Sequence, residues 1–358
     1  MPNREVFRSL LAFLEKHERH IGVFAMIAGF ATDSFTLVRP DQFWGNVLLL
    51  SYFLISALGI IYLAVYDRRE KVTPILLVGL VQFVFGNLAS GLMVLYGRSG
   101  TLEGSLPFFM LFTGFFIGNE FLRNYYSKIN FHISAWYFLF LAYLVLVVPI
   151  VIGKLGDGVF ILSTLVSLII VGFFLYLIYV ISKRRVVRAI KEIIFSVITI
   201  FVLFNLFYFL NIIPPVPLSL RDIGIYHSLE RLDNGDYKVL YEKPDWFEFF
   251  RSTSKRYTFI PGEKVYCFSS VYAPVGIGTG VYHRFEYYNE TAGKWQTKLL
   301  VNFRIAGGRD NGYRGYSEKS GIDFGLWRCS VETKRGALIG RTTFRVVENE
   351  STLYEKVL

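Results

Sequence analysis

The stretch IKEIIFSVITIFVLFNLFYFLNIIPPVPL, residues 190–218, decides how the rest of the chain reads. From Ile190 to Ile212 it is apolar over a length that crosses a bilayer, which takes about 20 residues of helix. It then runs into Pro214, Pro215 and Pro217, which cannot continue a helix and favour a stiff, extended exit. Charge is sparse before this point and dense after it, and a composition shift of that kind marks a domain boundary.

Six further apolar runs precede it, roughly Ile21–Val38, Phe43–Tyr66, Pro74–Tyr96, Leu106–Leu122, Phe131–Ile152 and Val159–Ile181. The first and fourth are the shortest. Seven such runs in succession leave no polar face to cover a soluble core, so the expectation is seven transmembrane helices. The chain is 53% hydrophobic and only 18% charged, against about 25% charged in an ordinary soluble domain. A large soluble enzyme is excluded by that deficit. The net charge of +10 sits largely in short connections, so it reads as a topology signal and not as a nucleic-acid footprint.

Lys and Arg alternate between rich and poor connections. Rich ones hold Arg4, Arg8, Lys16 and Arg19; Arg68, Arg69 and Lys71; Arg123 and Lys128; and Lys183, Arg184, Arg185, Arg188 and Lys191. The poor ones hold Arg39, Arg98 and Lys154, one each. The positive-inside bias then puts the N-terminus in the cytoplasm and everything after Ile212 outside. No signal peptide is expected, because residues 1–20 carry both signs of charge and no separate apolar core. Phe7, Leu10, Leu11 and Leu14 recur at helical spacing, so this segment reads as an amphipathic cytoplasmic helix, lying on the membrane or packed on the bundle.

Ionisable groups at membrane depth raise a functional question by default. Here they are Asp33, Glu120, Arg123 and His132. Glu120 and Arg123, spaced i, i+3, share a helix face and can pair. A transporter, channel or membrane enzyme needs the four to converge on a cavity. Their places near span ends favour interfacial pairing and capping instead. The Gly114–Gly118 GxxxG pattern suits close helix packing, within the bundle or in a homo-oligomer.

Beyond the junction, 213–221, short alternating stretches separated by Gly, Pro and Asn cover 222–358. They are Asp222–His227, Lys238–Glu242, Lys264–Val271, Val281–Tyr288, Trp295–Ile305, Leu326–Thr333 and Leu338–Val347. Seven short strands with turn signals between them predict an all-β, Ig-like antiparallel sandwich. Asp245–Arg256 lacks a clear period and reads as a short helix or loop. Cys267 and Cys329 fall mid-strand, and Trp327, Cys329 and Val331 alternate onto one inward face. The cysteines are either a disulfide closing about 60 residues or two small buried side chains. No metal is expected, since two cysteines and one nearby histidine lack ligand spacing.

Arg309, Tyr313, Arg314, Tyr316, Lys319 and Trp327, with His283 on a neighbouring strand, form the richest constellation. Guanidinium forks grip carboxylate or phosphate and aromatic rings cover sugar faces, so the class suited is an anionic or sugar-like ligand. The competing reading makes Trp327 core and pairs the arginines with Asp310, Glu318 and Glu332. No Gly-x-Ser-x-Gly elbow, HExxH helix or phosphate-binding loop occurs, so no catalytic residue and no cofactor is assigned.

Gly280-Val-Tyr-His283, Ile305-Ala-Gly-Gly-Arg309, Gly312-Tyr-Arg-Gly-Tyr-Ser-Glu-Lys319, Gly325-Leu-Trp-Arg-Cys-Ser-Val-Glu-Thr333 and Leu338-Ile-Gly-Arg-Thr-Thr-Phe344 carry a resemblance. Lys264–Val347 resembles the uncharacterised bacterial family known as domain of unknown function 2914, which also places an apolar multi-span region ahead of the domain. The resemblance implies a bacterial inner-membrane protein with a periplasmic or extracellular β domain, and brings no activity with it. The expected function is a membrane-held binding domain for an envelope glycan, lipid headgroup or partner protein. The alternative is a transporter, channel or membrane enzyme with the outer domain as a lid.

Overall fold

The computed structural model describes residues 27–66, 75–121, 129–246, 248, 251–348 and 352–358. The amphipathic N-terminal segment, the start of the first apolar run, Arg123 and the Glu120 side chain lie outside the described residues. Seven helices are described: residues 27–36 (α1), Phe43–Tyr66 (α2), Ile75–Gly97 (α3), Leu102–Phe121 (α4), Ile129–Ile152 (α5), Asp157–Ile181 (α6) and Lys183–Phe209 (α7). Five of them, within α2, α3, α5, α6 and α7, are long and apolar enough to cross a membrane. Their apolar lengths of 21–25 residues exceed the 30 Å or so of a hydrocarbon core at 1.5 Å per residue. The apolar part of α4, Glu103–Gly118, is shorter, and its start is bent by non-helical backbone at Ser105, ahead of Pro107.

On α6 small hydroxyl residues are buried alongside Phe160, Val171, Phe174 and Ile178, while other large apolar side chains face outward. Its buried positions include Ser163, Thr164 and Ser167, while Ile169, Phe173 and Tyr176 are exposed. In a lipid solvent large apolar side chains can remain on the outer face, and small hydroxyl residues let helices approach. Tyr137 on α5 meets Ser167 at 3.3 Å, oxygen to oxygen. The basic run Lys183–Lys191, read as a loop, is instead the first turns of α7. Only Ser182 separates it from α6, and its hydroxyl donates to the Ala64 carbonyl at 3.0 Å. Helix formation there gives the backbone amides beyond the first turn partners within the chain.

The described residues after α7 form eleven strands: β1 Ser219–Tyr226, β2 Ser228–Arg231, β3 Tyr237–Glu242, β4 Arg256–Thr258, β5 Val265–Tyr272, β6 Gly278–Asn289, β7 Lys294–Ala306, β8 Tyr313–Lys319, β9 Gly325–Thr333, β10 Leu338–Val347 and β11 Leu353–Val357. All seven expected strands are present. The other four are short or carry too few apolar side chains for an alternation to stand out. Among the described residues of Asp245–Arg256 there are turns but no helix.

Three sheets result where two were expected: β1-β5-β8, β4-β10-β9-β6-β7 and β11-β3-β2. Neighbours pair antiparallel except β4, which runs parallel to β10. That short edge strand arrives by a long connection from β3, which frees it from hairpin geometry. The first two sheets face each other across a core holding Val265, Cys267, Phe285, Trp327, Cys329 and Phe344. A second cluster continues it through Val271, Val281, Ile305, Val331 and Ile339. The third sheet covers the back of β1 and β5, where Tyr237 and Val239 meet Tyr226 and Phe268. This explains the near-continuous burial of β5, which is covered on both faces.

The chain divides into two compact units, and the second is larger than the β domain alone. It comprises Tyr96–Leu106, Val148–Val159 and Phe207–Leu358. Leu155 of the α5–α6 connection packs on the β core. The β9–β10 turn is held through Arg335, which pairs with Asp157 and stacks over the Tyr208 ring at 4.2 Å. It also donates to the Tyr208 and Phe209 carbonyls at 3.3 and 3.4 Å, in the last turn of α7, where carbonyls lack a full set of helix partners. Arg341 reaches Glu103 at 3.0 Å. Arg335→Ala is expected to cost about 1 kcal/mol, discounted because Asp157 is half exposed. Faster hydrogen exchange across Lys334–Ala337 in the full chain would register it.

Candidate functional site

The cleft begins where β7 ends. Gly307 donates its amide to the Ile277 carbonyl at 2.9 Å, and Gly308 to that of Ala273 at 3.0 Å. A Cβ on Gly307 would stand 1.8 Å from the Pro274 carbonyl oxygen, so no other residue fits without moving the backbone. The Arg309–Gly312 turn follows, closed by a 2.9 Å bond from the Gly312 amide to the Arg309 carbonyl. Gly312 has φ +82° and abuts Ser270, whose hydroxyl donates to the Asn311 carbonyl. The Gly-Gly-Arg and Gly-Tyr-Arg motifs are therefore a pinned loop that presents arginines.

Arg309 lies over the Tyr313 ring, 5.3 Å from its centroid. Arg314 donates to Asp236 at 2.8 Å and to the Leu358 carbonyl at 3.1 Å. Asp236 belongs to the β2–β3 turn, where its amide is held by Asn234 at 3.0 Å. This pair closes one end of an open cavity of about 350 Å³, lined by Arg231, Gly235, Tyr237, Arg309, Asp310, Asn311, Gly312, Tyr313 and Arg314. Among the described residues no carboxylate forms an ion pair with Arg231 or Arg309. The cleft thus brings together the guanidiniums of Arg231 and Arg309, a third held by Asp236, the carboxylate of Asp310, and the edges of Tyr237 and Tyr313.

The structure divides the constellation read from sequence. On β8, Arg314 and Tyr316 point to the face shared with the third sheet, with Tyr316 6.0 Å from Tyr237 and 6.3 Å from Tyr266, ring to ring. Tyr313 and Lys319 point the other way, as strand alternation requires. Lys319 sits 6.0 Å over Trp327 and donates to the Gly321 carbonyl at 3.0 Å. Trp327 is 1% exposed and its indole donates to the Asp323 carbonyl at 2.8 Å. Both its ring and His283 are core, and neither reaches a surface ligand. Glu332 pairs with Arg284 and Glu318 with Lys264. Sequence reasoning missed Arg231, Tyr237 and Asp236. The Asp233-Asn-Gly-Asp236 run is a hairpin signal that locates this turn, but nothing linear ties it to a strand 78 residues away.

His283 is wholly buried, with Nε2 2.7 Å from the Ser269 hydroxyl and Nδ1 2.7 Å from that of Ser317. Burial without a charged partner pushes it down to about 3. The Cys267 and Cys329 sulfurs beside it are joined in a disulfide linking β5 to β9 across the core. A second buried histidine, His227, stacks on Tyr257 with centroids 4.1 Å apart. Its nitrogens face Glu242 at 3.0 Å and Glu263 at 3.4 Å. Burial alone would raise Glu242, but bonds from His227 and the Thr258 amide outweigh it and hold the carboxyl below its usual range.

In the apolar helical region, Asp33 of α1 is buried and accepts a hydrogen bond from Ser90 on α3. His132 is buried beside Phe85, ring centroids 6.4 Å apart.

No curated protein matches the chain. Among solved structures, a β-glucosidase from Listeria innocua in complex with gluconolactone is 10% identical with a TM-score of 0.21; the match covers 35% of this chain and 16% of that one. The Pseudomonas fluorescens alkylpurine DNA glycosylase AlkC, bound to DNA containing an abasic site analog, is 12% identical with a TM-score of 0.21, covering 90% of this chain and 96% of that one. At these scores neither likeness bears on fold or function. Residues 278–346, within the C-terminal β region, match the family model described as "Protein of unknown function (DUF2914)".

Proposed function

We propose that this is a seven-span bacterial inner-membrane protein that holds an Ig-like β domain outside the cytoplasm, where the domain binds an anionic envelope ligand. The cleft between the β2–β3 turn and the β7–β8 loop is the binding site. The observation that carries this reading is that Arg231, Arg309 and Arg314 line one cavity beside Tyr237 and Tyr313, three guanidiniums against the carboxylate of Asp310 and the Asp236 that holds Arg314. That local excess of positive charge favours an anion.

Orientation is supported by the connections. The α3–α4 and α5–α6 links and the exit from α7, which belong to the same compact unit as the β domain, carry Arg98, Lys154 and no base at all between Leu210 and Leu220. The opposite set carries the basic clusters, which favours the N-terminus inside. The Ig-like reading is supported by the inter-sheet disulfide with Trp327 in the same core cluster. Asp33 bonded to Ser90 and His132 among aromatic rings fit packing roles, which weighs against a transport path.

The test uses the full chain in nanodiscs, titrated with an acidic polysaccharide and, separately, with vesicles of anionic lipid. Arg231→Ala combined with Arg309→Ala is expected to weaken binding about tenfold or more, at about 1.4 kcal/mol per tenfold. Affinity should also fall with added salt. Equal affinity of wild type and double variant for both probes would sink the proposal.

A further inference from the structure

Cys267, Cys329 and a ring nitrogen of His283 lie within 4.8 Å of one another, and all three residues are completely buried. They come from β5, β9 and β6, strands of two facing sheets. We propose that reduction of the Cys267–Cys329 disulfide turns this cluster into a site for one thiophilic metal ion of the Zn²⁺ class, ligated by both sulfurs and one nitrogen of His283.

The chemistry balances with a dithiol as reductant. The sulfur–sulfur bond accepts two electrons and two protons and becomes two thiols, while the reductant closes its own disulfide. Metal binding then displaces both thiol protons. Two thiolates and an imidazole are a donor set suited to Zn²⁺, and a buried thiolate without a counter-charge would be costly.

The geometry asks for little movement. Zn²⁺–thiolate bonds of about 2.3 Å in a tetrahedron put the sulfurs roughly 3.8 Å apart. The two Cα atoms are 6.5 Å apart, near the wide end of the range of about 4.4–6.8 Å that a disulfide spans. Side-chain rotation therefore opens the gap without parting the strands. The imidazole is already supported. Ser269 and Ser317 each stand 2.7 Å from a ring nitrogen. When one nitrogen turns to the metal, the hydroxyl on the other keeps the ring in place, as an outer partner does at a metal site. The hydroxyl released is a candidate fourth donor. The ion would then link β5, β6 and β9, replacing the covalent tie that reduction removes.

The full chain in detergent micelles, reduced with dithiothreitol and desalted without oxygen, is titrated with Co²⁺ as a spectroscopic probe. The expected result is one Co²⁺ per chain with a thiolate charge-transfer band, displaced by Zn²⁺. The unreduced chain should give no band. His283→Gln should weaken binding at least about tenfold, as loss of even a supporting partner does. Trypsin resistance of the β domain should persist in the reduced, metal-loaded chain. No band in the reduced wild type overturns the proposal. So does a His283→Gln variant that binds like wild type, because the metal would then sit on the thiols of an opened core. A reduced chain digested equally with and without metal overturns it as well.

Discussion

Replacing Cys267 and Cys329 together by Ala is expected to destabilise the β domain by about 4 kcal/mol, the chain-entropy value for a loop of this length. The bond joins residues 62 apart in sequence, and everything between them includes β6, β7 and β8. Without it the unfolded chain regains the freedom of that loop, while the folded core keeps most of its contacts, since both cysteines are small. Ala also leaves a cavity at the centre of the cluster around Phe285 and Trp327, which adds to the loss. A shift of that size is a large part of the total for a domain. It would be measured in the full chain as loss of hydrogen-exchange protection in β5, β6 and β9 at rising urea. A change below about 1 kcal/mol, far short of the loop-closure value, would mean that the bond contributes little.

Acidification from pH 7 to pH 5 is expected to cost the oxidised β domain about 2 kcal/mol through His283 alone. In the folded domain burial holds its proton affinity at about 3, against 6.5 for the free side chain. Below 6.5 the unfolded chain gains a proton that the folded one refuses, so stability falls with pH from 6.5 down to about 3. Glu242 acts in the same direction at lower pH. Its carboxyl is held below the usual 4.5, so its contribution is present above that value and lost as pH falls through the depressed one. The interval from 6.5 to 5 therefore separates the two. His283→Gln should flatten the slope there, at a fixed cost for a side chain that cannot match both Ser269 and Ser317. An unchanged slope in the variant would show that His283 is not held neutral by burial.

Both effects depend on residues whose chemistry was visible in the sequence but whose environment was not. His283, Trp327, Arg309 and Arg314 all lie in short motifs of one stretch, which by itself groups them. Strand alternation sends Trp327 and His283 inward, and the sheet order puts them under β5 and β8. Arg309 remained outside because Gly307 and Gly312 allow a loop to turn there. Arg231 and Asp236 entered the cleft from a hairpin that was not read at all, although Asp233-Asn-Gly announces it.

The opening stretch, residues 190–218, holds up as the place where the chain changes character. Sequence alone determined the helical nature of what precedes it, seven of the eleven strands after it, and the inward face of Trp327, Cys329 and Val331. These follow from hydrophobic period and length, which are local properties. The tertiary structure alone decided that there are three sheets, that Cys267 meets Cys329 beside His283, and that an arginine cleft forms between distant loops. Each of those depends on which strands lie side by side. That pairing is chosen by the summed burial of whole faces, and no single window of the sequence contains it.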